Sequence, residues 1–409
     1  MKAKKVVILG YGMQGQAALH DLVTRSDVSE IIVADNRADL DVLLKQYPVE
    51  RVKPSALDAT DREQLSGLMT DADLVLEFLP GKFAFAVGQL AAELGVNLVS
   101  SMYYVNPGEE DPVKVAEQRK AFEALDRKAK EKGITILTEF GMDPGLDLVL
   151  GAKALSEFDE VSEFYSYGAG FPAPEFTDNP LKYKFTWSII GVMFSYLRPA
   201  KVISGGGVRE VPAREMFSKD NMHLLDVPEI GRTLECFPNG NTNHYAELFG
   251  LKETIREMGR YICRWEGHGA FWEVMAKSGF LDQKPVRVGN CEVVPAEFCA
   301  ALLASQDQFF YREHEQDMAL VRMDVRGRSE GKNKRVIYQL IDRRDLETGF
   351  TAMQRTVGFT ASIGCQLILN GEFKETGVVL PMKVPFELVE REIGLRGMTV
   401  TREEFLLDE

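Results

Sequence analysis

Ten residues into the chain a glycine-rich turn joins an apolar strand to a helix: Gly10-Tyr11-Gly12-Met13-Gln14-Gly15. Residues 6–9 are wholly apolar, as suits a parallel strand buried on both faces. Helical periodicity follows from residue 14. In that setting each glycine has a task. Gly10 permits the tight turn, Gly12 lets a diphosphate approach the main chain, and Gly15 lets the helix lie against the strand. The helix N-terminus then turns unpaired N–H groups and a partial positive charge toward the phosphates. A second strand, residues 31–34, ends in Asp35, whose carboxylate suits the hydroxyls of the adenosine ribose. The carboxylate repels a 2′-phosphate, which favours NAD. Asn36 and Arg37 follow, and Arg37 offers NADP an alternative anchor. Asp58 and Ala59, in a polar turn, and Leu79-Pro80, after a further strand, are expected along the same cleft. Both pairs read equally well as plain turn residues.

Strand and helix patterns alternate through the first third of the chain. Strands are expected near residues 73–78, 96–100 and 134–138, with helices at 61–69, 83–94 and 117–132. That rhythm predicts an α/β protein with a doubly wound parallel sheet. Residues 1–140 are assigned to a Rossmann dinucleotide-binding domain. After about residue 141 the rhythm changes: residues 141–351 are richer in aromatic residues and have longer loops. Residues 352–409 form a C-terminal segment returning to the first domain. Residues 318–325 and 335–342 alternate with period two and read as a hairpin. Its basic residues, among them Arg322, Arg326 and Arg335, are expected on a solvated arm or a dimer contact.

Composition narrows the partners. A formal net charge of -14 disfavours nucleic acid and anionic lipid. No apolar run is long enough for a membrane span. Five cysteines, with no Cys-x-x-Cys spacing, point to free thiols in a reducing compartment and to no metal site. With a short basic lead-in before the first strand, a cytoplasmic protein is expected.

Four further motifs carry a resemblance. They are Phe140-Gly141-Met142-Asp143-Pro144-Gly145-Leu146-Asp147, the run from Phe171-Pro172-Ala173-Pro174-Glu175 to Tyr183-Lys184-Phe185-Thr186-Trp187-Ser188, Phe237-Pro238-Asn239, and Arg355-Thr356-Val357-Gly358. Across most of its length the chain resembles the saccharopine dehydrogenases (saccharopine reductases). Lysine 6-dehydrogenase and carboxynorspermidine dehydrogenase are wider relatives. The resemblance implies that residues 141–351 are a large inserted α/β domain for substrate binding and dimerisation, and it implies hydride transfer between a nicotinamide and a carbon bearing nitrogen. For saccharopine, oxidation of the secondary amine and hydrolysis would yield glutamate and aminoadipate semialdehyde.

Read against that chemistry, Lys184 and Arg264 are the cations expected to meet substrate carboxylates. Asp143 and Asp147 are candidates to orient the amine or carry its proton, and Asp143 reads equally well as a turn residue. Ser101, Tyr104 and Asn239 are candidate substrate contacts. Of the histidines, His268 is the one to test for proton transfer. The chain departs from the family where it has Ile190 and Gly240 in place of arginines, and Leu148 in place of a histidine. Those losses weaken the case for a substrate with three carboxylates and bring in, as the alternative to saccharopine, a less acidic amine such as lysine or a carboxylated polyamine. They also leave open a silent dinucleotide sensor or scaffold. The partner expected otherwise is a small amino-acid-derived substrate, bound by a homodimer.

Overall fold

The computed structural model describes residues 4–408. The chain divides into two compact units: residues up to Val149 with Gln354–Met398, and Leu150–Met353 with the residues from Thr399 onward.

The first unit holds a seven-stranded parallel sheet. Its strands are β1 (Lys5–Leu9), β2 (Glu30–Asp35), β3 (Val52–Ala56), β4 (Leu74–Glu77), β5 (Asn97–Ser100), β6 (Thr135–Leu137) and, far along the chain, Gly377–Val379. From one edge the order is Gly377–Val379, β6, β5, β4, β1, β2, β3. Strand order therefore reverses between β1 and β4, which opens a crevice beyond their C-terminal ends. Val6, Val7, Ile8 and Leu9 have no exposed surface, because helices cover both faces.

Local chemistry sets the element ends. Helix α1 (Met13–Arg25) begins directly after Gly12. The long helix Pro112–Lys132 starts one turn earlier than its periodicity suggests. Asp111 caps it by accepting from Val113 N, and Pro112 needs no donor in the first turn. Strand β3 was not expected. It carries Pro54, which an edge position tolerates.

The helical stretch that opens the C-terminal segment is not one regular helix. A short helix Ala352–Gln354 leads into a π-helical turn, Arg355–Phe359, and then the helix Thr360–Leu369. The π-turn lies against α1 so closely that a Cβ on Gly358 would stand 2.6 Å from the Gln14 carbonyl oxygen. Nearby, buried Asp21 on α1 grips Arg396 through two bonds of 2.7 and 2.8 Å. Gln366 donates to the same carboxylate at 3.0 Å. This network fastens residues 354–398 within the first unit.

The second unit is built on a large mixed sheet. Its strands run in the order His223–Val227, Arg232–Pro238, Glu257–Trp265, Glu160–Pro172, Asp317–Ser329, Lys332–Arg343, Val400–Leu406. Two expectations are corrected here. Val400–Leu406, placed with the first domain by its position in sequence, pairs antiparallel with Lys332–Arg343. The basic hairpin is no free arm, since its strands lie inside the sheet, where three of its cations find side-chain partners. Arg335 binds Asp324 at 2.8 Å, Arg326 binds Glu163 at 3.0 Å, and buried Arg322 donates to Gln339 at 2.6 Å. All five cysteines are free, and Cys236 stands directly opposite Cys263 on adjacent strands.

Candidate functional site

The turn after β1 has the geometry a diphosphate requires. Gly10 adopts φ 96°, and its N–H donates to Ala34 O at 2.8 Å. A Cβ on Gly15 would stand 2.1 Å from the Gly10 carbonyl oxygen, so no other residue fits that crossing. Gly12 differs, because nothing lies within 4 Å of where its Cβ would be. The protein thus leaves a cradle beside the helix start. Helix α1 has no side-chain cap and no acid in its first turn. Its own bonding in the turn begins with Gln16 N to Gly12 O, which leaves the earlier N–H groups to an outside acceptor. These features fit a dinucleotide diphosphate.

Asp35 terminates β2 beside this turn. One oxygen accepts from Tyr11 N at 2.6 Å and the other from Arg37 N at 2.9 Å. The carboxylate is thereby fixed in place, with lone pairs left for ribose hydroxyls. Exposed Asn36 and Arg37 follow, and Arg37 pairs with Asp39 at 3.1 Å. The Tyr11 ring is buried, and burial pushes its hydroxyl upward. Asp58 is turned into its own loop, where one oxygen takes the N–H and the hydroxyl of Thr60 at 2.9 and 2.7 Å. Ala59 packs on the core behind it. Leu79 is buried and Pro80 exposed at the end of β4.

Around the loops after β5 and β6 the expected substrate contacts separate. Ser101 and Asp143 are half-buried. Asp147 is buried and accepts from Gly145 N at 2.7 Å, which braces its own loop. Tyr104 is a core residue. Its ring packs edge-to-face on Phe85 at 5.5 Å and closely over Gly88, and its buried hydroxyl has no partner. That burial corrects its expected role at the substrate.

In the second unit a buried polar chain runs through an aromatic cluster. Arg264 Nε donates to the Tyr196 hydroxyl at 3.2 Å, and Nη1 donates to Cys263 O at 2.8 Å. Its guanidinium lies 4.7 Å from the centre of the Tyr183 ring. No carboxylate pairs with it among the described residues, although it is only 6 % exposed. The Tyr196 hydroxyl stands 2.8 Å from His268 Nε2, and His268 Nδ1 faces Leu181 O at 3.3 Å. The consistent assignment has Nδ1 protonated and Nε2 accepting from Tyr196. Burial, then the Arg264 charge, hold the His268 pKa far below its ordinary value. His268 therefore orients Tyr196 and presents no free nitrogen to a substrate, which corrects its expected part in proton transfer. Glu235 fixes its position by accepting from Gly267 N and Gly269 N at the start of helix His268–Lys277.

Lys184 also differs from expectation. It is buried and held by Glu315 at 2.8 Å and Asp178 at 3.0 Å, so its charge is answered within the protein. Asn239 is half-buried at the end of its strand, where its N–H donates to Arg260 O. A cavity of about 170 Å³ opens beside His268, bordered by Pro180, Leu181, Lys182, Gly267 and Trp272.

Sequence reasoning passed over three residues. Glu77 and Asp317 are buried acids whose pKa values burial pushes up to about 7 and about 6. The signal was an acid inside an apolar strand run, as in Leu74-Val75-Leu76-Glu77. Tyr311 has a buried hydroxyl without a partner, within electrostatic reach of Arg264 and Asp317. Among the described residues no cluster of His, Cys, Asp and Glu could hold a metal ion. No helix among them is long and apolar enough to cross a membrane.

A glycine cradle at the reversal point of a parallel sheet, with an acid ending the second strand, defines a Rossmann-type dinucleotide-binding protein. Residues 6–137 match the family model described as the saccharopine dehydrogenase NADP binding domain, and residues 141–393 match the saccharopine dehydrogenase C-terminal domain. The chain belongs to the saccharopine dehydrogenase family. It is 24 % identical to a saccharopine dehydrogenase [NADP(+), L-glutamate-forming] of Schizosaccharomyces pombe, with 99 % of each chain covered. It is 25 % identical to the alpha-aminoadipic semialdehyde synthase of Arabidopsis thaliana over 84 % of this chain and 38 % of that one. The chain thus spans less than half the length of the first curated relatives it matches. A carboxyaminopropylagmatine dehydrogenase of Synechocystis is 23 % identical, with 99 % of this chain and 100 % of that one covered. Among solved structures, the fold is similar to an apo saccharopine dehydrogenase (L-Glu forming) from Saccharomyces cerevisiae. The TM-score is 0.82 at 22 % identity, covering 98 % of this chain and 100 % of the other.

Proposed function

We propose that the chain is a nicotinamide-dinucleotide-dependent oxidoreductase acting on the CH–NH group of an amino-acid-derived amine, with saccharopine as its substrate. Cofactor binding rests on the cradle at Gly12 and the fixed carboxylate of Asp35. NAD is the expected partner, because Asp35 opposes a 2′-phosphate. Arg37 is the residue that would serve NADP, which the fission-yeast relative's name specifies.

The single observation that carries the substrate class is Arg264. A buried cation without an anion is costly, and an anionic ligand would offset that cost. A substrate carboxylate would complete it, with Tyr196 and His268 holding the guanidinium in place. When bound, the dinucleotide supplies the hydride acceptor. The protein's part is to seat the carboxylate and to take the ammonium proton, so that the amine is neutral before the C–H bond breaks. Asp143, half-buried in its loop, remains the candidate acceptor. Water then divides the resulting imine into an amino acid and an aldehyde.

A second reading keeps the reaction and changes the amine. Ile190 and Gly240 bring no cation, Lys184 is already neutralised, and the full-length Synechocystis relative is named for a carboxylated polyamine derivative. A substrate with fewer carboxylates than saccharopine suits that balance. Five free thiols accord with a reducing compartment such as the cytosol. The homodimer rests on the resemblance alone, since the hairpin lies within the sheet.

The test offers purified protein NAD or NADP with saccharopine, lysine and carboxynorspermidine in turn. Formation of reduced nicotinamide with saccharopine supports the first reading, and turnover of only a less acidic amine supports the second. Tight dinucleotide binding with turnover of none identifies a sensor and refutes both.

A further inference from the structure

Glu77 is an acid at the last position of β4, between Leu9 of β1 and Ser100 of β5 in register. Its side chain has no exposed surface. One carboxyl oxygen accepts from Leu79 N at 2.8 Å, in the loop that leaves β4. The other accepts from Ser100 Oγ at 2.6 Å, at the end of β5. Ser100 Oγ in turn accepts from Met102 N at 3.1 Å. One carboxyl group thus ties together the two loops that leave the sheet beside the dinucleotide crevice. An acid in such an apolar strand is costly to bury, and a neutral residue would suit the packing better. Nothing assigned so far uses it.

We propose that Glu77 is a positioning residue for the bound dinucleotide: it clamps the loops 79–83 and 100–104 together and sets where their main-chain groups meet the ligand. The inference rests on the cofactor reading above. Burial pushes its carboxyl up to about 7, so it changes charge near neutrality. Ser100 and the Leu79 N–H are the groups that favour its charged form, β1 offers apolar Leu9, and Tyr104 is the titratable neighbour. A diphosphate held close by disfavours a second negative charge. By linkage, the dinucleotide then binds the protonated form more tightly, and affinity declines as pH rises through 7.

The experiment titrates the whole protein with NADH and NADPH by fluorescence from pH 6 to pH 8. Glu77→Gln and Glu77→Ala are compared with wild type, and thermal unfolding of each is recorded. Wild-type Kd should rise by roughly threefold or more across the range. Glu77→Gln, which keeps one acceptor and cannot ionise, should show a flat profile. Glu77→Ala should bind about tenfold more weakly at every pH. A Glu77→Gln profile that follows wild type overturns the proposal, and it decides the matter if Glu77→Ala does not fold. Absence of dinucleotide binding by wild type contradicts the functional reading instead. Hydrogen exchange in the free protein then judges the clamp: faster exchange at Leu79 and Met102 in Glu77→Ala or Glu77→Gln supports it, and unchanged exchange overturns it.

Discussion

Replacing Arg264 by Met separates a binding role from a structural one, because the first lowers activity with little change in stability and the second lowers stability while the folded fraction stays active. In the free protein the guanidinium makes two hydrogen bonds and one ring contact. Hydrogen bonds from a charged donor contribute about 1.5–3 kcal/mol each, and a desolvated cation–π contact about 2 kcal/mol. Against them stands the burial of a charge with no counter-ion, which costs several kcal/mol. These terms nearly cancel, so Arg264→Met should shift stability by no more than about 2 kcal/mol in either direction. Catalysis has no such cancellation. Loss of a buried carboxylate contact costs about 3–5 kcal/mol, equivalent to roughly a hundredfold to several-thousandfold in kcat/KM. Arg264→Lys, which keeps the charge and loses the planar fork, should fall between wild type and Arg264→Met. The assays are steady-state kinetics on the turned-over amine and denaturant unfolding of the same preparations. The reasoning is refuted if Arg264→Met unfolds far more easily while the folded fraction retains its kcat/KM.

Three further outcomes follow from other residues. Asp35→Ser removes the charge that opposes a 2′-phosphate, so the NAD-to-NADP preference should move toward NADP by roughly tenfold or more, and equal ratios in mutant and wild type would disprove the assigned role. Asp21→Ala removes one of the two carboxylates on buried Arg396 and leaves Glu392 alone on it; chemical denaturation should report a loss of about 3 kcal/mol, and a loss below 1 kcal/mol would show that the Asp21 pair does not fasten residues 354–398. Asp317 is held upward by burial to about 6, above its unfolded value near 3.8. Its contribution is therefore fully present below about pH 4 and is lost as pH rises through 6. The unfolding free energy of Asp317→Asn should gain on wild type across that window and level off above it, whereas a constant difference would rule the titration out.

The parts legible in the sequence were those encoded locally. The glycine turn, the strand before it and Asp35 each follow from a few adjacent residues, and all three stand where the pattern places them. Boundaries were less legible where a cap outside the periodic stretch decides them, as with Asp111 and Pro112. Non-local partners left little trace. Gly377–Val379 joins β6 across about 240 residues, and Val400–Leu406 joins the other sheet. The same limit affects the site. A histidine between two glycines looks available until Tyr196 and Leu181 take both its nitrogens. Lys184 looks like a carboxylate receptor until Glu315 is brought to it from 131 residues away. Glu77 was visible as an acid in an apolar run, but its meaning depends on Ser100 in the adjacent strand.

The central claim is that a dinucleotide diphosphate rests in the space beside Gly12, and Gly12→Asp tests it most directly. Nothing in the protein lies within 4 Å of the added Cβ, and an aspartate is a favourable residue at a helix start, so folding should be unharmed. Calorimetric titration should give saturable binding of NAD or NADP to wild type and none to Gly12→Asp at equal thermal stability. Wild type that binds neither nucleotide, or Gly12→Asp that binds as tightly as wild type, would contradict the account.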